Sequence, residues 1–283
     1  MAMSRKVGLH IIGGTSIPLG HPAVVKLVDC SPEYVAQVRK QMKPDTLIVV
    51  RWVEAEQPLD DPERNAQSWF DRRYWVMERM WPAKPIAFEG YNEVADMQAE
   101  AYCRFEVERL RLMVGNAAVG NFSVGTPDLP IWETYRPMLD MMGESDYLGL
   151  HEYWSHQADL VNPYHVRRFL MAPELAGKRL VITECGRDVV EGHGRPGWKL
   201  TCSADEYLMD LRKLGELYDE CPQVLGACVF TVGGKWGDFD VTGIWPRVVA
   251  EYETLQPSPV QWAVEMQDTF DNGQRRVTIE RRE

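Results

Sequence analysis

The chain has 283 residues, of which 45% are hydrophobic and 26% are charged, and its formal net charge is −11. This balance excludes fibrous and disordered proteins and supplies enough apolar side chains for one large core. The acidic charge excludes a general nucleic-acid binder, because neutralising phosphates requires a basic face.

Eight short apolar runs alternate with longer amphipathic stretches along the chain. The runs are continuous, which is typical of strands buried on both faces of a parallel sheet. We predict strands over residues 7–12, 24–28, 47–53, 86–91, 117–124, 147–153, 180–183 and 224–232. Eight strands separated mainly by helices predict an α/β fold, the (β/α)8 or TIM barrel. A doubly wound open sheet is the alternative, but no glycine-rich phosphate loop follows the first strand.

Helical periodicity is found between most of these strands. We predict helices over residues 32–42, 62–80, 96–114, 131–142, 164–175 and 203–218, and a last one within 242–255. Ser31, Asp61 and Ser203 stand at the start of three of them as expected N-caps. The connection after the first strand, residues 13–23, carries two prolines and three glycines and is too short for a packed helix. We therefore expect a degenerate first helix that is replaced by a loop.

The composition changes after the last predicted helix. Gln256-Pro257-Ser258-Pro259 is typical of an exit linker, and Asn272-Gly273 is a hairpin signal in the tail. We expect residues 1–255 to form the barrel domain and residues 256–283 to form a linker and a C-terminal tail. The tail is either a small β-hairpin packed on the barrel or the start of a truncated appendage.

The cysteines and the apolar runs bear on the compartment. The six cysteines have no C-x-x-C pair and no zinc-ligand spacing, so we expect mostly buried, reduced thiols. No run approaches the roughly 20 apolar residues that span a bilayer, and residues 7–12 are too few for a signal-peptide core. We expect a soluble monomer without membrane or nucleic-acid partners, and the sequence does not distinguish a cytoplasmic from a secreted location.

Two glutamates follow strands that lie nearly opposite each other in such a barrel. Chemistry in this fold lies at the C-terminal ends of the strands, where Glu93 follows strand four and Glu184 follows strand seven. Glycosidic hydrolysis requires two carboxyl groups in different environments. One is protonated and donates to the leaving oxygen, and the other is ionised and attacks the anomeric carbon.

Three short motifs resemble those of clan A glycoside hydrolases. Residues 88–93, Phe-Glu-Gly-Tyr-Asn-Glu, resemble the W-E-x-x-N-E signature of strand four in that clan. Residues 182–186, Ile-Thr-Glu-Cys-Gly, resemble the T-E-x-G nucleophile signature of strand seven, and residues 151–153, His-Glu-Tyr, resemble the H-x-Y of strand six. The motifs occur in the same strand order as in the clan, and the likeness in strand rhythm spans roughly residues 6–255.

The resemblance implies a retaining hydrolase that cleaves β-linked O-glycosidic bonds of a poly- or oligosaccharide by double displacement, without cofactor or metal. Glu184 would be the nucleophile and Glu93 the general acid/base. Asn92 would hold the sugar 2-hydroxyl, Tyr153 would hydrogen-bond the nucleophile and keep it ionised, and His151 would line the same subsite. The alternative function is a catalytically idle barrel that binds glycan as a recognition module.

Other charged side chains near the strand ends are further candidates. Arg51 is assigned to the substrate site, where its charge would favour the anionic form of Glu184. The alternative for Arg51 is a structural pair with Glu89, which lies deeper in strand four. Three residues either face the substrate or join an internal polar network, namely His10, Lys26 and Asp29.

The chain contains 10 tryptophans, more than core packing alone suggests. Trp236 lies in a glycine-punctuated segment after strand eight and resembles the tryptophan that stacks on sugars in many clan A enzymes. Further cleft candidates are Trp52, Trp132, Trp154 and Trp198, whereas Trp69, Trp75 and Trp81 are expected to pack. The glycine-rich loop 191–199 is expected to form one wall of the cleft.

Two other kinds of site are disfavoured by the sequence. His151 and His156 have H-E-x-x-x-H spacing, one residue too long to place both histidines on one helical face for zinc. Cys185 lies beside Glu184, but no basic partner is indicated for it. We therefore expect neither a zinc site nor a thiol nucleophile.

Overall fold

The computed structural model describes residues 3–113, 115–188, 197–253, 266–271 and 274–279. The barrel strands are β1 (Val7–Ile12), β2 (Val24–Val28), β3 (Leu47–Arg51), β4 (Ile86–Glu89), β5 (Ala117–Phe122), β6 (Tyr147–Trp154), β7 (Leu180–Arg187) and β8 (Val224–Val232). All eight are parallel and close in chain order, with β8 paired to β1. The predicted (β/α)8 barrel is confirmed.

Six α-helices surround the described barrel. They are α1 (Pro32–Gln41), α2 (Pro62–Met80), α3 (Ala99–Met113), α4 (Arg136–Met141), α5 (Ala204–Asp219) and α6 (Trp245–Glu253). Ser31 caps α1 by accepting a hydrogen bond from the Tyr34 amide, and Ser203 forms a reciprocal capping box with Glu206. Asp61 is the N-cap residue of α2, but its side chain makes no capping hydrogen bond.

The connections differ from the predicted helices in two places. The helix predicted over 164–175 is wrong, because the chain forms only the 3-10 turns Arg168–Met171 and Pro173–Leu175 there. Pro173 lacks an amide donor and disfavours helical backbone at the residue before it. The helix predicted over 131–142 is a 3-10 segment, Leu129–Tyr135, that continues into α4. Residues 13–23, all of them described, form no helix, as predicted.

The interior of the barrel has an apolar lower layer beneath a charged upper layer. The lower layer is one buried cluster with residues from β2 to β8, namely Val24, Leu47, Val49, Ala87, Ala118, Tyr147, Val181 and Cys228. Alternate residues of a strand point to the same face. Lys26, Arg51 and Glu89 each follow a member of this layer by two positions, so they point into the barrel above it.

A β-bulge turns Glu184 into the interior. Alternation from Val181 would point Thr183 inward and Glu184 outward. In the pairing of β6 with β7, Leu150 faces Ile182 but His151 faces Glu184, so Thr183 is an extra residue. An extra residue of this kind re-aims the side chains that follow it.

The tail contains the two strands expected from its hairpin signal. β9 (Met266–Asp271) and β10 (Gln274–Ile279) pair antiparallel. Asn272-Gly273 and the linker 256–259 lie outside the described residues, and the packing of the tail on the barrel stays a prediction. All six cysteines are free thiols, and five of them are buried. Among the described residues, no helix has the length and apolar character that crossing a membrane requires.

Candidate active site

The charged upper layer of the barrel surrounds Glu184. Its Oε1 faces Lys26 Nζ at 2.9 Å, Arg51 Nη1 at 3.6 Å, His10 Nε2 at 3.6 Å and His151 Nε2 at 3.8 Å. Its Oε2 accepts a hydrogen bond from the Tyr153 hydroxyl at 3.2 Å. The carboxylate is thus buried, with only 9% of its side chain exposed, and it is held by groups from β1, β2, β3 and β6.

These neighbours keep Glu184 ionised. Burial, the largest single influence, raises the pKa of its carboxyl group. The charges of His151 and Lys26 and the nearby ring of His10 act in the opposite direction, and together they hold the pKa well below its usual 4.5. A carboxylate of this kind is anionic at neutral pH, as a nucleophile must be.

Glu93 is held in an unusual backbone conformation just beyond β4. Its φ is +53°, in the left-handed region that is strained for residues other than glycine. The Glu93 amide donates to the carbonyl of Asn121 at 3.0 Å. The preceding residue, Asn92, exchanges hydrogen bonds with the Gln57 side chain through both its backbone amide and its carbonyl. Strain held in place by neighbouring groups is typical of functional sites.

The side chain of Glu93 lies between His151 and open space. Its Oε1 is 2.8 Å from His151 Nδ1, and 40% of the side chain is exposed. Burial is the largest influence on the pKa of Glu93 and raises it, and the charge of Glu184 raises it further. The hydrogen bond and charge of His151, with a hydrogen bond from Ser123, outweigh both and lower the pKa from 4.5. Without a ligand, both carboxyl groups are therefore ionised at neutral pH.

The two carboxyl groups are close together. One oxygen of Glu93, one oxygen of Glu184 and a ring nitrogen of His151 all lie within 4.8 Å of one another. Carboxyl groups separated by about 5–5.5 Å are typical of retaining glycosidases, and separations of about 6.5–9.5 Å are typical of inverting ones.

The same three side chains could be read as metal ligands. Oxygen and imidazole donors within 4.8 Å of one another can hold a divalent cation. However, Oε1 of Glu184 already faces the Lys26 ammonium at 2.9 Å and the Arg51 guanidinium at 3.6 Å. A divalent cation at this oxygen would be repelled by both charges, so the charge pattern favours acid–base chemistry.

The remaining predicted site residues lie around this centre. Arg51 lies 3.6 Å from Glu184 and 3.9 Å from Glu89, so it makes both of the contacts considered for it, and its role in binding substrate stays a prediction. The Oδ1 atom of Asn92 is buried and has no hydrogen-bond partner among the described residues. Such an acceptor is available to a ligand hydroxyl.

Trp236 is linked to the centre by aromatic contacts. Its side chain is 49% exposed, and its ring lies 5.6 Å from the ring of Phe230. The Phe230 ring in turn lies 4.8 Å from His10 and 6.4 Å from Tyr153. Trp236 is therefore an exposed flat surface beside the site, as stacking on a sugar requires.

Three other tryptophans proposed for the cleft are buried instead. Trp132 packs edge-on against Phe122, Trp154 donates its indole N–H to Asp210, and Trp198 stacks on Tyr207. Trp154 and Trp198 fill the layer between the strands and the surrounding segments, so their assignment to the cleft is wrong. Trp132 is also buried, but it lines a small cavity with Ser123 and His151 beside the site. Trp52 is half-buried and stacked on Phe88. Trp75, predicted to pack, is 70% exposed because it lies on the outer face of α2.

Some contacts of the site were not predicted from the sequence. Lys26 and His10 join an internal polar network around Glu184, which was one of the two alternatives predicted for them. Asp29 does not join this network: it is exposed and accepts a hydrogen bond from the Val53 amide. Burial lowers the pKa of His10 to about 4, so its ring is neutral at pH 7. Ser123 carries no motif that signals its contact with Glu93. The predicted cleft loop 191–199 lies mostly outside the described residues, which resume at residue 197.

No protein-family model matches this sequence, and no curated protein sequence matches it. Solved structures with the same fold are found. One is a β-galacturonidase of glycoside hydrolase family 2 from Eisenbergiella tayi, bound to galacturonate. It is 14% identical to this chain with a TM-score of 0.54, and the match covers 83% of this chain and 45% of the β-galacturonidase chain. Gas2 of Saccharomyces cerevisiae is 11% identical with a TM-score of 0.52, over 84% of this chain and 57% of its own.

A bacterial orthologue of human α-L-iduronidase is 12% identical with a TM-score of 0.50, and the match covers 78% of this chain and 45% of that one. The chain therefore spans about half the length of these proteins. At these identities the likeness establishes the fold alone. This chain has the eight-stranded parallel barrel that those glycoside hydrolases share.

Proposed function

We propose that the chain is the catalytic barrel of a retaining glycoside hydrolase that cleaves β-linked O-glycosidic bonds. The observation that carries the proposal is the short distance between two carboxyl groups, whose nearest oxygens lie within 4.8 Å of each other. The Glu184 carboxylate is buried and contacts cations, whereas the Glu93 side chain is 40% exposed. The β-galacturonidase shows that a barrel of this fold can carry a glycosidase site, which is compatible with the proposal. No metal or cofactor is needed for this chemistry.

The proposed reaction has two displacements. In the first, a carboxylate oxygen of Glu184 bonds to the anomeric carbon, the glycosidic C–O bond breaks, and Glu93 gives its proton to the departing oxygen. In the second, Glu93 takes a proton from water while the water oxygen bonds to the anomeric carbon and the ester to Glu184 breaks. Both residues return to their starting protonation states, and the sum is the addition of water across the glycosidic bond.

Glu93 must be protonated for the first displacement, although its pKa is lowered in the free protein. The exposed 40% of its side chain faces the cleft, so a bound sugar would cover it. Burial raises the pKa of a carboxyl group. We infer that the substrate itself raises the pKa of Glu93 and so produces the acid. Once Glu184 is esterified, the loss of its charge lowers the pKa of Glu93 again, as a general base requires.

This mechanism predicts a difference between two pH profiles. The profile of kcat/KM reports groups of the free enzyme, and the profile of kcat reports those of the enzyme–substrate complex. We expect the alkaline limb of kcat to lie at least about one pH unit above that of kcat/KM, because covering Glu93 raises its pKa. Steady-state rates on one substrate from about pH 2.5 to about pH 9 measure both limbs, with circular dichroism showing that the chain stays folded at the acid end. Coincident limbs would contradict the role assigned to substrate burial.

Two neighbouring groups are placed to bind the sugar. The unpaired, buried Oδ1 of Asn92 would accept a hydrogen bond from a sugar hydroxyl near the anomeric carbon. The exposed ring of Trp236 would stack on the apolar face of a pyranose ring. His151 and Tyr153 orient the two carboxyl groups, and both also border the space between them.

A hydrolysis screen tests the proposed function. The wild-type chain and Glu184→Gln would be incubated with 4-nitrophenyl β-glycosides of neutral hexoses, pentoses, N-acetylhexosamines and uronic acids, and with β-linked polysaccharides. We expect the wild-type chain to release product from at least one substrate, and Glu184→Gln to release none. Binding of the wild-type chain to a glycan array is measured in parallel. Binding to a glycan on the array without hydrolysis of any substrate in the screen would indicate the catalytically idle recognition module instead.

A further inference from the structure

Lys26 lies between two buried carboxylates at the centre of the barrel. Its Nζ is 2.9 Å from Oε1 of Glu184 and 2.9 Å from Oε2 of Glu89. We propose, on the basis of the proposed function, that Lys26 and Glu89 act as a positioning pair that sets the reactivity of Glu184. Lys26 fixes one oxygen of the nucleophile, and Glu89 limits how strongly the surrounding cations stabilise the nucleophile's negative charge.

The sequence places the pair where water cannot screen it. Lys26 and Glu89 are fully buried, and each follows a member of the apolar lower layer by two positions. A buried ammonium is stable only when it is paired, and here it has two carboxylates as partners. Because the surroundings have a low effective dielectric constant, a change in charge at one of the three groups is felt strongly by the other two.

The contacts of Lys26 also distinguish the two oxygens of Glu184. Lys26, Arg51, His10 and His151 all face Oε1. Among the described residues, Oε2 contacts the Tyr153 hydroxyl alone, at 3.2 Å, and no cation. An oxygen held by two cations has less electron density to share than its neighbour. We therefore infer that Oε2 attacks the anomeric carbon and that Oε1 remains anchored during the reaction.

Glu89 faces the same two cations as the nucleophile does. It lies 2.9 Å from Lys26 and 3.9 Å from Arg51, against 2.9 Å and 3.6 Å for Glu184. When Glu184 forms the ester, it loses its charge, and without Glu89 the buried Lys26 and the mostly buried Arg51 would lose their counter-ion. A buried charge deprived of its partner is strongly unfavourable. Glu89 therefore keeps the cations neutralised in the glycosyl-enzyme.

The sign of the effect follows from this balance. Without the charge of Glu89, the cations would hold Glu184 more tightly as a carboxylate. Formation of the ester would then be slower, and its breakdown, which regenerates the carboxylate, would be faster. Without the charge of Lys26, the pKa of Glu184 would rise, because a cation is lost and the unpaired charge of Glu89 repels a second anion.

Other titratable groups near the nucleophile are unchanged in these variants. Besides Lys26 and Glu89, the described groups around Glu184 come from the neighbouring strands and strand ends and are His10, Arg51, Glu93, His151, Tyr153, Cys185 and Cys228. A double-mutant cycle on Lys26 and Glu89 isolates the contribution of the pair, since the other groups are common to all four proteins.

The experiment compares wild-type, Lys26→Met, Glu89→Gln and the double variant on the substrate found in the hydrolysis screen. We expect Lys26→Met to raise the acid limb of kcat/KM by at least about one pH unit. Glu89→Gln added to it should move the limb back towards wild-type. In Glu89→Gln alone, burst kinetics on an aryl glycoside should show slower ester formation and faster ester hydrolysis, each by about threefold, the effect of half a pKa unit.

Folding is checked by circular dichroism, and Lys26→Arg, which keeps the charge, should retain the wild-type acid limb. If Lys26→Met fails to fold, the isosteric variant Glu89→Gln still tests the proposal, because its rate constants for ester formation and ester hydrolysis are expected to change in opposite directions. An unshifted limb in folded Lys26→Met, or two rate constants that change in the same direction in Glu89→Gln, would overturn the positioning pair alone. A wild-type chain that hydrolyses no glycoside would overturn the proposed function, and the pair's role with it.

Discussion

Replacing Glu184 with glutamine is expected to lower kcat by at least about 10⁴-fold, because the reaction loses its covalent intermediate. Glutamine has nearly the shape of glutamate but no charge, and its amide is a poor nucleophile. The neighbouring cations, Lys26 and Arg51, retain Glu89 as a counter-ion, so the barrel should still fold. The measurement is kcat on the best substrate of the screen, with circular dichroism as the check on folding.

Glu152→Gln is the matched control for this variant. Glu152 is buried on the adjacent strand β6, but it faces outward and accepts hydrogen bonds from Tyr218 of α5 and from the Arg167 amide. Its replacement removes a buried carboxyl group outside the site, so kcat should stay within a few-fold of wild-type. Equal activity in Glu184→Gln and Glu152→Gln would contradict the assignment of the nucleophile.

Glu93→Gln is expected to lower kcat by about 10²–10⁴-fold on glycosides with poor leaving groups, because the departing oxygen is no longer protonated. With 4-nitrophenolate, which leaves without a proton, the first displacement should be much less affected. The second displacement should remain slow, since water has lost its general base. Azide needs no base, so it should restore turnover and yield a glycosyl azide of retained configuration.

The control for Glu93→Gln is Glu133→Gln, which removes an exposed carboxylate paired with Arg136. Exposed ion pairs of this kind contribute little to stability, and we expect no change in turnover. The contrast between leaving groups separates an acid/base residue from a residue that only binds substrate. A uniform loss across all leaving groups, without rescue by azide, would argue against acid/base catalysis by Glu93.

The strands of the barrel could be predicted because each is a short apolar run. β1, β2 and β8 have the predicted bounds, since burial on both faces leaves a continuous pattern with clear ends. The helix predicted over 164–175 failed for the opposite reason. Its apolar residues have helical spacing, but Arg167 has a left-handed backbone with φ +65°, and Pro173 disfavours helical backbone at the residue before it.

The orientation of the two glutamates could not be derived from periodicity. Strict alternation along β7 points Glu184 away from the barrel, and only the bulge at Thr183 brings it inward. Glu93 reaches the site through a left-handed backbone that propensity disfavours for glutamate. Both residues were proposed from their positions at strand ends and from their motifs, and neither signal specifies the backbone geometry that directs the two side chains inward.

Long-range contacts account for most of the remaining differences. Trp132, Trp154 and Trp198 follow strands or lie in loops, and only the packing of other segments over them determines that they are buried. The contact between Lys26 and Glu89 joins residues of different strands, and nothing near either one in the sequence indicates its partner. Such pairings depend on barrel closure, which a local pattern does not contain.

The stereochemistry of hydrolysis distinguishes two displacements through a glycosyl-enzyme from a single displacement by water. Proton NMR of the first-formed sugar, recorded during cleavage of the best substrate before mutarotation, reports the configuration at the anomeric carbon. Two displacements at a pair of carboxyl groups within 4.8 Å should give the same configuration as the substrate. An initial product of inverted configuration would contradict the covalent role of Glu184.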